Sequence, residues 1–79
     1  MLPFTVHPVG DCALLAGFTQ RIAPEIGAAV AALNSHVLAA KLPGVVETVP
    51  AFASLLITYD PLVTEYDTIA DAVQKLADT

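Results

Sequence analysis

Few side chains in this sequence have the type and spacing that chemistry requires. His7 and Cys12 lie on either side of a Gly-Asp turn, so an imidazole and a thiolate could meet across a hairpin and bind zinc or copper. A metal site needs three or four ligands, however, and the other histidine, His36, lies in a segment predicted to be helical. We therefore interpret His7 as a strand residue and Cys12 as a small core residue, with no metal site.

The other candidates for an acid, a base or a nucleophile lack partners. Asp11 follows Gly10 in the turn, where an aspartate usually accepts hydrogen bonds from nearby backbone amides. Ser35 and Ser54 carry hydroxyl groups, but a nucleophile needs a positioned base. The sequence has no Gly-x-Ser-x-Gly elbow, Ser-Lys pair or cysteine-protease motif. It therefore predicts no catalytic residues, and we expect this chain to be inactive on its own.

The charge of the chain limits its partners. The net charge is −5, so the basic surface that nucleic acid requires is missing, and anionic membranes are disfavoured for the same reason. Several acids lie close together near the end of the sequence: Glu65, Asp67, Asp71 and Asp78. They are interpreted as the solvated face of a helix, or alternatively as an electrostatic contact to a basic partner.

The composition predicts an exposed apolar patch. Apolar residues make up 56% of the chain and charged residues 14%, against about 25% charged in a typical soluble domain. A chain of 79 residues forms one domain with a small core, burying only about 60% of its unfolded surface. The excess apolar surface therefore indicates an interface with another chain or domain.

The sequence also suggests a location. It lacks a positively charged start typical of a secretory signal, and no apolar run approaches the roughly 20 residues that span a bilayer. The single cysteine excludes an internal disulfide bond and suits a reducing compartment. We expect a cytoplasmic protein.

Sequence patterns predict two strands, a helix, two strands and a final helix. The predicted elements are strands at 4–9 and 12–18, a helix at 23–42, strands at 44–49 and 54–60, and a helix at 64–79. The first helix has apolar residues on one face, at Ile22, Ile26, Val30, Leu33 and Val37. Gly27 within it suggests close packing, because glycine weakens a helix by about 1 kcal/mol relative to alanine. Pro50 marks the end of the third strand.

These elements form an α+β two-layer sandwich. Two helices can cover one face of a four-stranded sheet, which leaves the other face without a partner in this chain. Leu56, together with Val46 or Val49, is expected on that uncovered face.

Two longer stretches carry a family resemblance. VGDCALLAGF and LPGVVETVPAFASLLITYDP, with the spacing between them, resemble the N-terminal domain of the KipI/PxpB family. Its members include the sensor-kinase inhibitor KipI, the 5-oxoprolinase component PxpB and allophanate hydrolase subunit 1. The resemblance spans nearly the whole chain and implies a DCoH-like ββαββα fold. It also implies a C-terminal cyclophilin-like domain, which is absent from residues 1–79.

The resemblance implies a component of a hydrolase acting on C–N bonds. On this interpretation the chain is a non-catalytic N-terminal domain that assembles with an allophanate hydrolase subunit 2/PxpC-type subunit or with the cyclophilin-like domain. It would hold no cofactor itself, ATP being used by the full complex. The alternative function is an inhibitory binding module for a sensor histidine kinase. A third interpretation is a homodimer that pairs through the uncovered sheet face.

Four residues are candidates for an interface: Gly10, Asp11, Pro50 and Phe52. Pro50 is interpreted as structural, because it ends a strand. Phe52 has two interpretations, a core residue beneath the hairpin or an exposed interface anchor.

Overall fold

The chain forms two successive units of strand, strand and helix. The computed structural model describes residues 2–19 and 23–77. The elements are β1 (Thr5–Val9), β2 (Ala13–Gly17), α1 (Pro24–Ala40), β3 (Val45–Pro50), β4 (Ser54–Tyr59) and α2 (Tyr66–Ala77). The ββαββα order confirms the prediction, and within the described residues the boundaries differ from it by at most two residues.

The four strands form one antiparallel sheet in the order β1-β2-β4-β3. The two central strands, β2 and β4, pair Leu14 with Ile57 and Leu15 with Leu56. Side chains alternate between the two faces of a strand, so every second residue of β4 points toward the helices. Those residues of β4 are buried, and they are Leu55, Ile57 and Tyr59.

The core lies between the sheet and the two helices. The predicted apolar face of α1 is confirmed for the residues Ile26, Val30, Leu33 and Val37, while Ile22 lies outside the described residues. From α2 come Ile69 and Val73, both fully buried. Among the described residues no charged or polar residue is buried. Neither described helix is long and apolar enough to cross a membrane.

The link between α1 and β3 is held against the turn that follows β4. Helix α1 ends at Lys41, which adopts a left-handed conformation (φ 49°) and donates its N–H to the Leu38 carbonyl. Gly44 has φ +89°, and a Cβ at this position would lie 2.6 Å from Cγ2 of Thr64. Its carbonyl accepts the Asp60 N–H at 2.7 Å. Gly44 is therefore required both by its backbone conformation and by the close approach of Thr64.

Two sequence-based interpretations were wrong. Gly27 does not mark close packing, because it is exposed and a Cβ there would meet nothing within 4 Å. Cys12 is not a core residue but an exposed free thiol in the β1–β2 turn. In both cases a small residue was taken as a sign of tight packing, but in the fold each lies at the surface.

Candidate interaction surface

One face of the sheet is uncovered by any described part of the chain, and we call it the open face. Its central row contains four residues that oppose one another across the strands, in the order His7, Leu15, Leu56 and Val49. Leu15 and Leu56 are half-buried and Val49 is 45% exposed. Leu56 was expected to share this face with Val46 or Val49, and the residue that lies beside it is Val49. The open face is therefore apolar at its centre.

Charge is nearly absent from the open face. The rows beside the centre contain Thr5, Gly17 and Ser54 on one side, and Val9, Ala13, Thr58 and Glu47 on the other. Of the side chains in these rows only Glu47 carries a formal charge at pH 7. The other acids among the described residues lie in turns, in loops or on helices. A sheet face with so little charge is typical of a surface that packs against another protein.

The edge at β1 is unsuited to pairing with a further strand. Pro8 has no N–H to donate, and it lies on an edge strand, where proline is tolerated. The hydroxyl of Tyr66, on α2, donates to the Val6 carbonyl at 3.3 Å. A proline and an already satisfied carbonyl both oppose strand addition at this edge.

The edge at β3 is irregular. A bulge between Val45 and Glu47 interrupts its pairing with β4, and the strand ends at Pro50. Bulges and prolines are devices by which natural sheets avoid edge-to-edge association. The open face, rather than either edge, is therefore the main candidate for association.

The structure separates the four sequence candidates into two pairs. Gly10 and Asp11 lie in the β1–β2 turn, beside the end of β4, where the Tyr59 N–H donates to the Cys12 carbonyl. Pro50 and Phe52 lie at the opposite end of the sheet. The two ends are four residues of strand apart, roughly 14 Å. All four residues are exposed, but they do not form one site.

Phe52 is not a core residue. Its side chain is 58% exposed, while the neighbouring Ala53 is 3% exposed and belongs to the core. The Ala53 carbonyl accepts the Phe18 N–H at 2.8 Å, which fixes the hairpin against β2. Of the two interpretations of Phe52, only the exposed one agrees with the structure.

No catalytic arrangement is present in the described part of the chain. Nε2 of His7 lies 3.0 Å from the Thr5 hydroxyl, and residues 2–19 and 23–77 contain no group of three metal-ligating side chains. A shallow cavity of about 320 Å³ lies at the end of β2, and its lining has no carboxylate, imidazole or thiol. It is lined by Pro3, Phe4, Thr5, Gly17, Phe18 and Thr19.

The acidic face of α2 is solvated. Asp71 forms an exposed ion pair with Lys75 at 3.0 Å, one helical turn away. Asp67 and Glu65 are exposed, and Asp78 lies outside the described residues. Exposed pairs of this kind contribute little to stability, so this surface is free to serve in electrostatic contacts.

Sequence analysis missed the turn between β4 and α2. Leu62 is 94% exposed and Val63 is 60% exposed. The Asp60 side chain holds the turn, because its Oδ1 accepts the Leu62 N–H at 2.9 Å. The predicted strand ended at Asp60, and the sequence pattern gave no sign that the two apolar residues after Pro61 would both be at the surface.

Together, the elements define a small two-layer α+β domain with one uncovered sheet face that is apolar at its centre. The family described as "Carboxyltransferase domain, subdomain C and D" matches residues 4–79. The chain belongs to this family, which is of the KipI/PxpB type.

Two solved structures resemble the chain. A conserved uncharacterized protein, PH0987 from Pyrococcus horikoshii, is 32% identical with a TM-score of 0.87 over 94% of this chain and 34% of that chain. The N-terminal domain of the histidine kinase inhibitor KipI from Bacillus subtilis is 21% identical, with a TM-score of 0.80 over 98% of this chain and 86% of that one. The chain thus spans about a third of the PH0987 chain. No curated protein matches it.

Proposed function

We propose that this domain is a non-catalytic assembly module of an amide-hydrolysing complex of the 5-oxoprolinase or allophanate hydrolase type. The observation that carries the proposal is the open face, which is apolar at its centre and carries one charge. Membership of a family named for part of a carboxyltransferase domain supports a role as one piece of a larger enzyme. ATP use and hydrolysis belong to other parts of the complex, and a cytoplasmic location is part of the proposal.

The size of the open face favours a partner larger than a second copy of this domain. Four strands about 4.8 Å apart and five or six residues long span a flat footprint of roughly 350 Å². A standard stable interface buries about 800 Å² on each partner. A homodimer held by this face alone would therefore be weak. A second subunit or the cyclophilin-like domain could cover the face and extend beyond it.

Association with the second subunit tests the proposal. The chain is co-purified with an allophanate hydrolase subunit 2/PxpC-type protein, and the mass of the product is measured by light scattering. We expect a stable hetero-complex and no hydrolysis by the chain alone. Val49→Lys places a charge on the open face and should prevent assembly, whereas the matched control Ser35→Lys, on the exposed side of α1, should not. Absence of any complex with the wild-type chain would refute assembly with this subunit.

The likeness to the KipI domain supports a second candidate function, inhibition of a sensor histidine kinase. That relative is described as a histidine kinase inhibitor, although at 21% identity the likeness itself shows the fold alone. The acidic face of α2 is the candidate contact. Charge reversal by Asp67→Lys and Asp71→Lys should abolish kinase binding, while Gln74→Lys adds charge without removing an acid and serves as control. Unchanged binding of the double variant would eliminate this surface.

A further inference from the structure

We propose that the turn between β4 and α2, residues 60–64, forms a second part of the assembly interface. In this contact Leu62 and Val63 enter an apolar pocket of the subunit 2/PxpC-type protein, and Lys or Arg side chains line the rim of that pocket. The inference rests on the proposed function, because the same partner would cover the open face and this turn.

The turn is held in one conformation by its own backbone. The Asp60 carbonyl accepts the N–H groups of Val63 and Thr64, at 3.0 and 3.1 Å, and the Asp60 side chain accepts that of Leu62. The Asp60 N–H in turn donates to Gly44, which fastens the turn to the start of β3. A preorganised loop loses little conformational entropy when it binds. Two adjacent apolar side chains on such a loop are therefore suited to enter a pocket.

The exposure of the turn is not explained by the folding of the domain. Leu62 is 94% exposed, so its side chain contributes almost nothing to the core. The turn leads from the sheet to the helix layer, because Tyr59 before it is buried and Tyr66 after it begins α2. Leu62 therefore lies beyond the end of the open face, outside the area that a partner confined to that face would cover.

The position of the turn supplies contact area that the open face lacks. The footprint of the open face is smaller than the area that a standard interface buries on each partner. The turn adjoins the end of β4, where the Tyr59 N–H donates to Cys12, so the candidates Gly10 and Asp11 lie at this same end. A partner that extends over this end would cover the β1–β2 turn and Leu62 together.

The charge of the segment sets the chemistry of the partner. Residues 60–67 contain Asp60, Glu65 and Asp67 and no basic side chain. Asp67 and Glu65 are exposed, and both follow the apolar pair closely in the chain. An exposed apolar pair close in sequence to exposed carboxylates is complementary to an apolar pocket with a basic rim.

Affinity measurements with purified subunit 2/PxpC-type protein test the contact. We compare the wild-type chain with Leu62→Asn by calorimetry, and use Leu38→Asn as the matched control because Leu38 is also exposed, on α1. If Leu62 is buried on binding, Leu62→Asn should lower the affinity for the PxpC-type protein by roughly 10- to 100-fold. Leu38→Asn should lower that affinity by less than about twofold. Circular dichroism should show both variants folded.

A second measurement tests the basic rim. Neutralisation by Glu65→Gln and Asp67→Asn should weaken binding and flatten its dependence on salt. Unchanged affinity of Leu62→Asn, with the wild-type chain still binding, overturns the turn contact and leaves the assembly role intact. An unchanged salt dependence of the neutral variant overturns the basic rim. If the wild-type chain does not bind the PxpC-type protein, both assembly with this subunit and the turn contact are wrong.

Discussion

Replacement of Gly27 by alanine should stabilise the domain, although glycine in a helix can mark a packing contact. Gly27 is the fourth residue of α1, and a Cβ added there would meet nothing within 4 Å. No steric cost therefore offsets the gain in helix propensity, which is about 0.8–1 kcal/mol in a helix interior. Near the first turn we expect a smaller gain, about 0.5–1 kcal/mol.

The gain is measurable in a domain of this size. It corresponds to an increase of about 2–8 °C in the melting temperature. In urea the midpoint should rise by about 0.5 M with an unchanged slope, since the surface exposed on unfolding is the same. Circular dichroism at 222 nm follows both transitions. A destabilised Gly27→Ala variant would refute the reasoning, because it would show that the start of α1 does not tolerate a Cβ.

Gly44→Ala serves as the matched control, and it should destabilise the domain. Here alanine must adopt φ +89° and place its Cβ 2.6 Å from Thr64 Cγ2, which should cost about 1–3 kcal/mol. Thr64→Ser removes the methyl group and should recover part of the loss.

Three further predictions concern single groups. Tyr66→Phe removes the hydrogen bond to the Val6 carbonyl and should destabilise the domain by about 0.5–1.5 kcal/mol in urea denaturation; no change would mean that water replaces the hydroxyl. Asn34→Leu should stabilise it by about 1 kcal/mol, because the Asn34 Oδ1 atom is buried without a partner; a loss would show that the amide group has a needed contact. Cys12 should react with a thiol reagent in the native state at the rate of an unfolded control, and strong protection would contradict its exposure.

The helices and strands were predictable because a helix or strand with one buried face has apolar residues at regular intervals along its sequence. The alternation in β4 and the three- and four-residue spacing in α1 both follow from one buried face, and both predictions were confirmed. This regular spacing of apolar residues does not extend into the turns. The two interpretations of Phe52, core residue or exposed anchor, stayed open because Phe52 lies in the hairpin turn before β4.

The candidate surface was predictable only in part. Excess hydrophobicity indicated that an apolar surface exists, and the alternation of β4 placed Leu56 on it. The separation of Gly10 and Asp11 from Pro50 and Phe52 depends on which ends of the strands meet in the sheet. That is a property of strand order, and local sequence patterns do not encode it.

The strand order also has a consequence for folding kinetics. The two hairpins are local in sequence, but the central contact joins β2 to β4 across α1 and β3, pairing Gly17 with Ser54 and Ala13 with Thr58. Long-range strand pairing costs loop-closure entropy before its contacts can stabilise it, so it forms more slowly than a local hairpin or helix. We expect the seam between β2 and β4 to form late. Leu15 and Leu56 face each other across that seam, so a half-folded chain does not yet present the centre of the open face. Partner recognition would then select completed domains over folding intermediates.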